Sequence, residues 1–487
     1  MILNLMIKPV YLLVIDAKIQ DTLGAEAFGN FFPLLSLGVM LNILLDVGLA
    51  NHMTRLVSAK PNEVHAAFHS GWRTKRFLFP IYIVVLGGVG WFLGYRGNSF
   101  GWLLWIGLNQ ALLSAILYVR AGLQGTGAHR SDAWVSISDR TLLLVGMGTL
   151  LISFEHFRIE WLLGGTTIAL ALTWAIARWR LLESSKPIAP PLRSNSVKSS
   201  SIAMNLREGW PYALLFLLMM TYHRIDAIMI ERFAPSGAIQ AGWYAMSYRL
   251  FEAANMIGFL FATLLLPYFS RMLAEKEDIR PLAIAASRIL LVGGGAIAWS
   301  AWYYPMELLN GFYSMDIEQA APVLPWLMLS FAIFAQGYVF STILTARGDL
   351  RLLNRLAAGG AALNVALNSW WLLNHADATT AGWGCAIISA ITQGLVVAGQ
   401  MLCSMHAFPG RIWGKIFRAL LVHGLLCAAI TWISIRFAPD TSWTAWMVLI
   451  ACLLAGAFPG VMDYRILRDL LSNKMNTFAD SLPTRNP

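Results

Sequence analysis

The sequence predicts an all-α polytopic membrane protein with about fourteen transmembrane helices. Of its 487 residues, 57% are hydrophobic and only 13% are charged, and the mean hydropathy is +0.59. The apolar residues form blocks of about eighteen or more, the length that an α-helix needs to cross a bilayer. A water-soluble protein of this size is excluded, because its surface would need many more charged side chains.

The predicted spans follow one another with mostly short connections. Lys8 and Pro9 interrupt the first apolar block, and no small-residue cleavage pattern follows it, so we interpret it as a retained span and not as a signal peptide. The spans are predicted at 2–19, 29–50, 77–95, 101–119, 134–153, 161–177, 211–230, 243–267, 284–304, 322–344, 356–373, 382–402, 419–436 and 444–462.

The distribution of basic residues predicts that both chain ends lie in the cytoplasm. Loops and tails on the N-terminal side carry about 26 lysines and arginines, whereas the opposite loops carry about five. Basic loops are retained on the cytoplasmic side, so the remaining loops face outward. Because those outer loops are short, we expect no soluble domain outside the membrane.

An ordered set of residues recurs in the first and second spans and again in the seventh and eighth. The second pair begins six spans after the first, and six is an even number, so both pairs have the same orientation, as in parallel repeats of secondary transporters. The alternative is that any two membrane hairpins look alike. The residues are Asp16, Gly29 and Arg55 in the first pair and Asp226, Gly242 and Arg271 in the second.

This recurrence predicts two six-helix bundles related by a pseudo-two-fold axis. The segment 183–207 is rich in Ser, Pro and Lys and is predicted to be a flexible cytoplasmic linker. The bundles are then residues 1–182 and 208–405, and residues 406–487 contain two extra helices and a cytoplasmic tail.

Two arginines lie inside apolar spans at matched depth. Arg224 and Arg249 are each about six residues from the same membrane face, roughly 9 Å at helical rise. Asp226 follows Arg224 closely, and Glu252 is three residues after Arg249, so each cation is predicted to have a carboxylate partner. Such pairs in a membrane indicate a functional site. The alternative is that the arginines extend to the headgroups.

Further charged residues lie in or beside the first five spans. Lys8 is in the first span, Arg55 closes the second, and Arg140 lies within the fifth beside Asp139. We interpret these three cations as further candidates for an anionic substrate, although Arg55 could instead be a positive-inside anchor. The carboxylates that could bind a coupled ion are Asp16, Asp139, Asp226 and Glu252.

The sequence indicates no cofactor, metal site or nucleic-acid surface. The four cysteines, Cys385, Cys403, Cys427 and Cys452, form no CxxC motif. Glycine runs such as Gly87-Gly88 and Gly359-Gly360 precede no lysine at the spacing of a phosphate-binding loop. The net charge of +10 is distributed over membrane loops, so it indicates topology and not nucleic-acid binding.

Four short motifs resemble those of the polysaccharide flippase family of the multidrug, oligosaccharidyl-lipid and polysaccharide exporter superfamily. The resemblance covers roughly residues 10–400. The motifs are E-x-[FY]-G at Glu26, Phe28 and Gly29; D-x-G-L at Asp46, Gly48 and Leu49; R-x-D at Arg224 and Asp226; and Y-R-L-x-E at Tyr248, Arg249, Leu250 and Glu252.

This resemblance implies a transporter, not an enzyme, in a bacterial cytoplasmic (inner) membrane. Its substrate would be a polyprenyl-pyrophosphate-linked oligosaccharide, flipped to the outer leaflet by alternating access. Arginine suits this headgroup because its planar fork binds phosphate oxygens in pairs. The partners would be membrane lipids, glycosyltransferases and a polysaccharide polymerase, and we expect a monomer.

Two other functions remain open at this point. A cation-coupled multidrug or small-molecule exporter of the same superfamily would have carboxylates instead of arginines at its centre. A membrane glycosyltransferase or polymerase would act on the same lipid carrier, but we would expect acidic catalytic motifs in a long outer loop.

Overall fold

The computed structural model describes residues 7–59, 64–154, 157–184, 202–377, 379–404, 412–437, 442–458 and 461, and within them the regular structure is helical. Helix α1 comprises a π-helical segment, Tyr11–Asp16, and an α-helical segment, Ala17–Leu23. The next six helices are α2 (Ala25–Leu41), α3 (Leu49–Ala59), α4 (Val64–Phe92), α5 (Gly97–Gly125), α6 (His129–Ser153) and α7 (Ile159–Ser184).

The second half of the chain begins with two long helices that follow the predicted linker. Its helices are α8 (Ile202–Phe233), α9 (Gly237–Ala274), α10 (Arg280–Tyr303), α11 (Pro305–Asn310), α12 (Ile317–Ala320), α13 (Leu324–Ala346), α14 (Leu350–Asn374), α15 (Ala381–Ser404), α16 (Ile412–Phe437) and α17 (Ser442–Ala455).

Each of the fourteen predicted spans overlaps at least one helix in the described residues. Twelve of these helices are long and apolar enough to cross a membrane. Helix α17 is a shorter apolar helix, and residues 2–6 of the first predicted span lie outside the described residues. The protein is therefore a multi-pass membrane protein.

The second predicted span, 29–50, is not one continuous helix. Helix α2 passes into a 3-10 turn at Asn42–Leu45 and then breaks, and α3 begins at Leu49. Val47 and Gly48 have φ angles of 40° and 85°, which no α-helix accommodates. A Cβ atom on Gly209 of α8 would lie 2.2 Å from the Val47 carbonyl oxygen, so only glycine fits there.

A buried lysine stabilises this break. Lys75 of α4 donates to the Leu45 carbonyl at 3.0 Å and to the Ser114 hydroxyl at 2.6 Å, and its Nζ lies 3.3 Å from the Asp46 carboxylate. The ammonium group thus satisfies a carbonyl at the end of a helix and pairs with a carboxylate of the D-x-G-L motif. Sequence reasoning had assigned Lys75 to a cytoplasmic loop, because the predicted span began only at residue 77.

The chain forms two compact units. One contains Met1–Ala253, Phe312–Val323 and Leu350–Thr392, and the other contains Ala254–Gly311, Leu324–Asp349 and Gln393–Pro487. All residues discussed below belong to the first unit. The predicted division into two bundles about the linker 183–207, most of which lies outside the described residues, remains a prediction.

Candidate functional site

Four charged side chains from three helices form a continuous network in the first unit. Arg249 of α9 lies 2.8 Å from Asp16 of α1, from Nε to Oδ2, and donates from Nη1 to Glu252 Oε2 at 2.9 Å. Arg224 of α8 donates from Nη2 to the other oxygen of Glu252. Glu252 therefore bridges two guanidinium groups, and the order is Arg224, Glu252, Arg249, Asp16.

The network is buried and its formal charge is zero. The side chains of Arg249 and Asp16 are 4% and 8% exposed, and those of Arg224 and Glu252 are 10% and 21% exposed. Two cations face two carboxylates, so each ion has a partner of opposite charge. Removing one member of such a buried pair typically costs about 3–5 kcal/mol, because the remaining charge loses its partner.

Aromatic rings surround the two guanidinium groups. The Cζ atom of Arg249 lies 5.5 Å from the ring centroid of Phe28 and 5.2 Å from that of Phe32, and Arg224 Cζ lies 5.7 Å from the Tyr248 ring. Phe32 and Tyr248 also contact each other edge to face, with centroids 5.5 Å apart. The rings attract the cations and exclude water from the ion pairs.

The backbone of α1 positions Asp16 for this network. Asp16 is the last residue of the π-helical segment Tyr11–Asp16, which is followed directly by regular α-helix. A π-helical turn rotates the residues after it relative to an ordinary helix, and such turns are frequent at functional sites. On α9, Arg249 and Glu252 lie on one face because they are three residues apart.

Two glycines allow α2 and α9 to approach closely near the network. A Cβ atom on Gly29 would lie 1.7 Å from the Ala238 carbonyl oxygen, and one on Gly242 would lie 2.0 Å from the Ala25 carbonyl oxygen. Gln20 of α1 donates to the Gly242 carbonyl at 2.9 Å across the same contact. The glycine of the E-x-[FY]-G motif is thus required by backbone proximity.

Asp226 does not pair with Arg224, and this predicted pairing was wrong. The Asp226 carboxylate accepts hydrogen bonds from the Tyr244 hydroxyl at 3.0 Å, from Asn368 Nδ2 at 2.8 Å and from the Ser389 hydroxyl. Residues two apart on a helix point in different directions, so Arg224 faces Glu252 while Asp226 faces α14 and α15. The side chain of Asp226 is buried, with 1% exposed.

Neutral polar side chains surround Asp226. Asn364 donates to the hydroxyls of Ser389 and Thr392 at 3.2 Å and 3.4 Å, and Asn368 donates to Asn364 Oδ1 at 3.2 Å. The side-chain oxygen of Asn368 is buried without a hydrogen-bond partner. The group therefore combines one carboxylate with amide and hydroxyl oxygens.

A second charged cluster lies where α1 meets α6. Arg140 Nε is 3.6 Å from Asp139 Oδ2, and Arg140 Cζ lies 5.2 Å from the centroid of Tyr11. The charges of Arg140 and Asp139 both act on Lys8. The Arg140 side chain is 32% exposed, so it is far more accessible than Arg249.

Arg120 extends this cluster and was not identified from the sequence. Its guanidinium pairs with Asp132 at 2.6 Å and 3.4 Å, and its charge also acts on Lys8. The five charged residues Lys8, Arg120, Arg140, Asp132 and Asp139 comprise three cations and two carboxylates, so the second cluster has a formal charge of +1.

Arg55 lies outside both groups. It is exposed on α3, beyond the break at Val47 and Gly48. Its assignment as a substrate residue stays a prediction, and its position on a short helix after the span equally fits the membrane-anchor alternative.

The neutral polar side chains that surround Asp226 were not predicted from the sequence to form a shell around it. Asn364 and Asn368 lie four residues apart in the predicted span 356–373, which places two amides on one helical face. That spacing was a usable signal, since polar residues inside a span rarely face lipid. Their convergence on Asp226, however, depends on the packing of α8 against α14.

Comparison with known proteins gives a family and a fold. The sequence matches the family described as "Polysaccharide biosynthesis protein" over residues 6–273, more than half of the chain, whereas no curated protein matches it. A structure of the lipid II flippase MurJ in an inward closed conformation superposes with a TM-score of 0.66 at 11% identity, covering 97% of this chain and 100% of that one.

Two further solved structures share the fold at low identity. An inward-facing multidrug resistance MATE family transporter of the MOP superfamily has a TM-score of 0.58 at 14% identity, covering 82% of this chain and 94% of that one. A MOP superfamily transporter from Pyrococcus furiosus has a TM-score of 0.58 at 16% identity, covering 83% and 93%. These likenesses confirm the predicted all-α membrane fold.

Proposed function

The chain belongs to the polysaccharide biosynthesis protein family, and on this premise we propose that it moves a polyprenyl-pyrophosphate-linked oligosaccharide from the cytoplasmic to the outer leaflet of a bacterial inner membrane. Both chain ends would face the cytoplasm, where glycosyltransferases assemble the glycan. A polymerase at the outer surface would use the product, and alternating access would move the headgroup while the lipid tail stays in the bilayer.

The buried network of Arg224, Glu252, Arg249 and Asp16 is the observation that carries this proposal. A pyrophosphate brings two or more negative charges, and transferring them bare through hydrocarbon is prohibitive. Two arginines bridged by one carboxylate offer paired donors at a single location. Guanidinium groups bind phosphate oxygens in pairs and stay charged when water is excluded.

The carboxylates in the network act as internal counterions. Asp16 and Glu252 occupy the guanidinium groups when no substrate is bound, so the empty site carries no net charge. A pyrophosphate binds by displacing one or both carboxylates from the arginines. This exchange lets the empty protein return without exposing a bare cationic site to the membrane interior.

The second charged cluster would meet the headgroup first. Arg140 is 32% exposed and belongs to a group with a formal charge of +1, which also contains Lys8. The π-helical segment Tyr11–Asp16 connects the two charged groups, since the Tyr11 ring centroid lies 5.2 Å from Arg140 Cζ and Asp16 belongs to the network. The headgroup would therefore pass from Lys8 and Arg140 to Arg249.

Among the four candidate carboxylates, Asp226 is the best site for a coupled ion. Asp16 and Glu252 pair with arginines of the network, and Asp139 pairs with Arg140. Within the described part of the chain, the hydrogen-bond partners of Asp226 are all neutral, so they do not balance its negative charge. A proton on the carboxylate, or a sodium ion held by it and nearby amide and hydroxyl oxygens, would neutralise that charge.

Replacing Asp226 by Asn is expected to make transport independent of the coupled ion and to slow gradient-driven transport about tenfold, within the range of typical coupling free energies. Transport is measured in proteoliposomes with the sodium and pH gradients set separately, so the two ions are distinguished. Asp139→Asn is the matched control and should keep its gradient dependence. An Asp226→Asn protein that responds to both gradients like the wild type would refute this assignment.

The proposed function is tested by the flipping of a fluorescent polyprenyl-pyrophosphate oligosaccharide in proteoliposomes of defined orientation. The potential is set with potassium and valinomycin. Each charge gains about 2.3 kcal/mol per 100 mV, so two charges at about 150 mV gain roughly 7 kcal/mol, and transport should rise at least tenfold when the cytoplasmic side is negative. Export of a cationic drug, without movement of the lipid-linked glycan, would instead identify the exporter alternative.

A further inference from the structure

A surface pocket lies between the beginning of α4 and the end of α7, apart from the charged groups described above. Four of its lining residues are apolar and two carry nitrogen donors. The residues are Val64, Phe68, His69, Arg178, Leu181 and Leu182.

Arg178 is the charged residue of this pocket. Its side chain is exposed, and its Cζ atom lies 5.5 Å from the ring centroid of Trp174, one helical turn earlier on α7. Among the described residues, no carboxylate lies within ion-pair distance of it. The neighbouring Arg180, in contrast, pairs with Glu183 at 3.2 Å. Arg178 therefore presents an unneutralised charge.

Stacked aromatic rings support the wall of the pocket. The rings of Phe68 and Trp72 on α4 stack with centroids 5.6 Å apart, and Trp72 stacks on Trp174 of α7 at 6.0 Å. Arg178 continues this row of stacked rings, since its guanidinium lies over the Trp174 ring. These rings pack α4 against α7 beside the pocket.

The pocket lies at the ends of two candidate membrane-spanning helices. The membrane-spanning stretch of α4 is Ala67–Phe92 and that of α7 is Ile159–Glu183, so the pocket residues stand at the span ends on one face of the membrane. Leu182 of the pocket and Trp179, next to Arg178, are 48% and 56% exposed, so a large apolar surface adjoins the cation. A molecule held here would have its polar part at the surface and its apolar part in the membrane.

We propose that this pocket binds the headgroup of an anionic phospholipid from the surrounding leaflet. The phosphodiester group would accept hydrogen bonds from the Arg178 guanidinium and from a ring nitrogen of His69, and an acyl chain would lie against Leu182. One permanent cation matches the single negative charge of a phosphodiester. A pyrophosphate has at least two charges and would remain partly unneutralised, so the transported lipid is not the expected ligand.

Lipid binding is tested by native mass spectrometry of the purified full-length protein, titrated with phosphatidylglycerol and, in parallel, with zwitterionic phosphatidylcholine. The wild type should bind phosphatidylglycerol roughly fivefold more tightly, which is the contribution of one arginine near an anionic headgroup. Arg178→Gln should abolish this preference. Arg180→Gln is the matched control, since Arg180 is already paired with Glu183, and it should keep the preference.

Three outcomes would overturn the proposal: equal binding of the two phospholipids by the wild type, an undiminished preference in Arg178→Gln, or displacement of phosphatidylglycerol by equimolar undecaprenyl pyrophosphate. The proposal does not depend on what the protein transports. A failure here therefore leaves the transport assay unaffected, and the converse also holds.

Discussion

Replacing Arg249 by alanine is expected to slow transport of the lipid-linked glycan at least a hundredfold. Arg249 is the central cation of the network, and its loss leaves Asp16 without its ion pair and Glu252 with Arg224 alone. Losing a buried ionic interaction costs about 3–5 kcal/mol, and each 1.4 kcal/mol lost on the way to the transition state is a factor of ten in rate. The measurement is the initial flipping rate in proteoliposomes, normalised to inserted protein.

Two further variants separate transport from folding. Arg249→Lys keeps the charge but loses the planar fork, so part of the transport should remain. The double variant Asp16→Asn and Arg249→Gln removes one charge of each sign, and its thermal stability in detergent should exceed that of Arg249→Ala because no unpaired carboxylate is left buried. If the double variant also regained full transport, Arg249 would serve only to neutralise Asp16.

The membrane fold could be predicted from the sequence because the signal is strong and local. Each span is a long apolar block, and a backbone inside hydrocarbon must satisfy its own hydrogen bonds, so such blocks become helices. The break after Leu45 was missed because Val47, Leu49 and Ala50 continue the apolar pattern beyond the single charged residue Asp46. Its stabilisation by Lys75 depends on a tertiary contact that no periodicity reveals.

For the candidate site, the sequence identified the residues of the network but not all of their pairings. Arg224, Arg249, Asp16 and Glu252 were all identified because charged residues are rare inside spans. Their pairing was predicted correctly for Arg249 and Glu252, which are neighbours on one helix. It was wrong for Arg224, since its true partner lies on another helix. Contacts between helices depend on rotation and crossing, which one sequence does not specify.

The neutral shell of Asp226 illustrates the same limit. The candidates predicted from the sequence were all charged residues, so they did not include the neutral side chains of Asn364, Asn368 and Ser389. In the structure these side chains surround a carboxylate that lacks a cation. Charge alone therefore gave four equivalent ion-coupling candidates, whereas the geometry separates one from the other three.

Replacing Gly242 by alanine is expected to reduce transport about tenfold to a hundredfold, although the change adds only a methyl group and removes no charge. The new Cβ would lie 2.0 Å from the Ala25 carbonyl oxygen, so α2 and α9 must separate by more than 1 Å. Because both clashing groups belong to backbones, side-chain rotation cannot relieve the contact, and overpacking of this kind costs about 1–3 kcal/mol. Gly29→Ala should behave alike, since its Cβ would meet the Ala238 carbonyl oxygen at 1.7 Å.

We attribute this loss of transport to destabilisation of the conformation in which the predicted outer ends of the helices are closed. Cysteines at Thr22 and Ser236, introduced after the native cysteines are replaced, report that closure through their rate of cross-linking. Gly242→Ala should slow cross-linking. In the two-cysteine protein that retains Gly242, a completed cross-link should stop transport, and a reductant should restore it. Gly146→Ala is the matched control, because a Cβ there meets no atom within 4 Å, and it should leave both rates unchanged. Undiminished transport by fully cross-linked protein would show that these ends need not separate, and the glycine contact would then be structural alone.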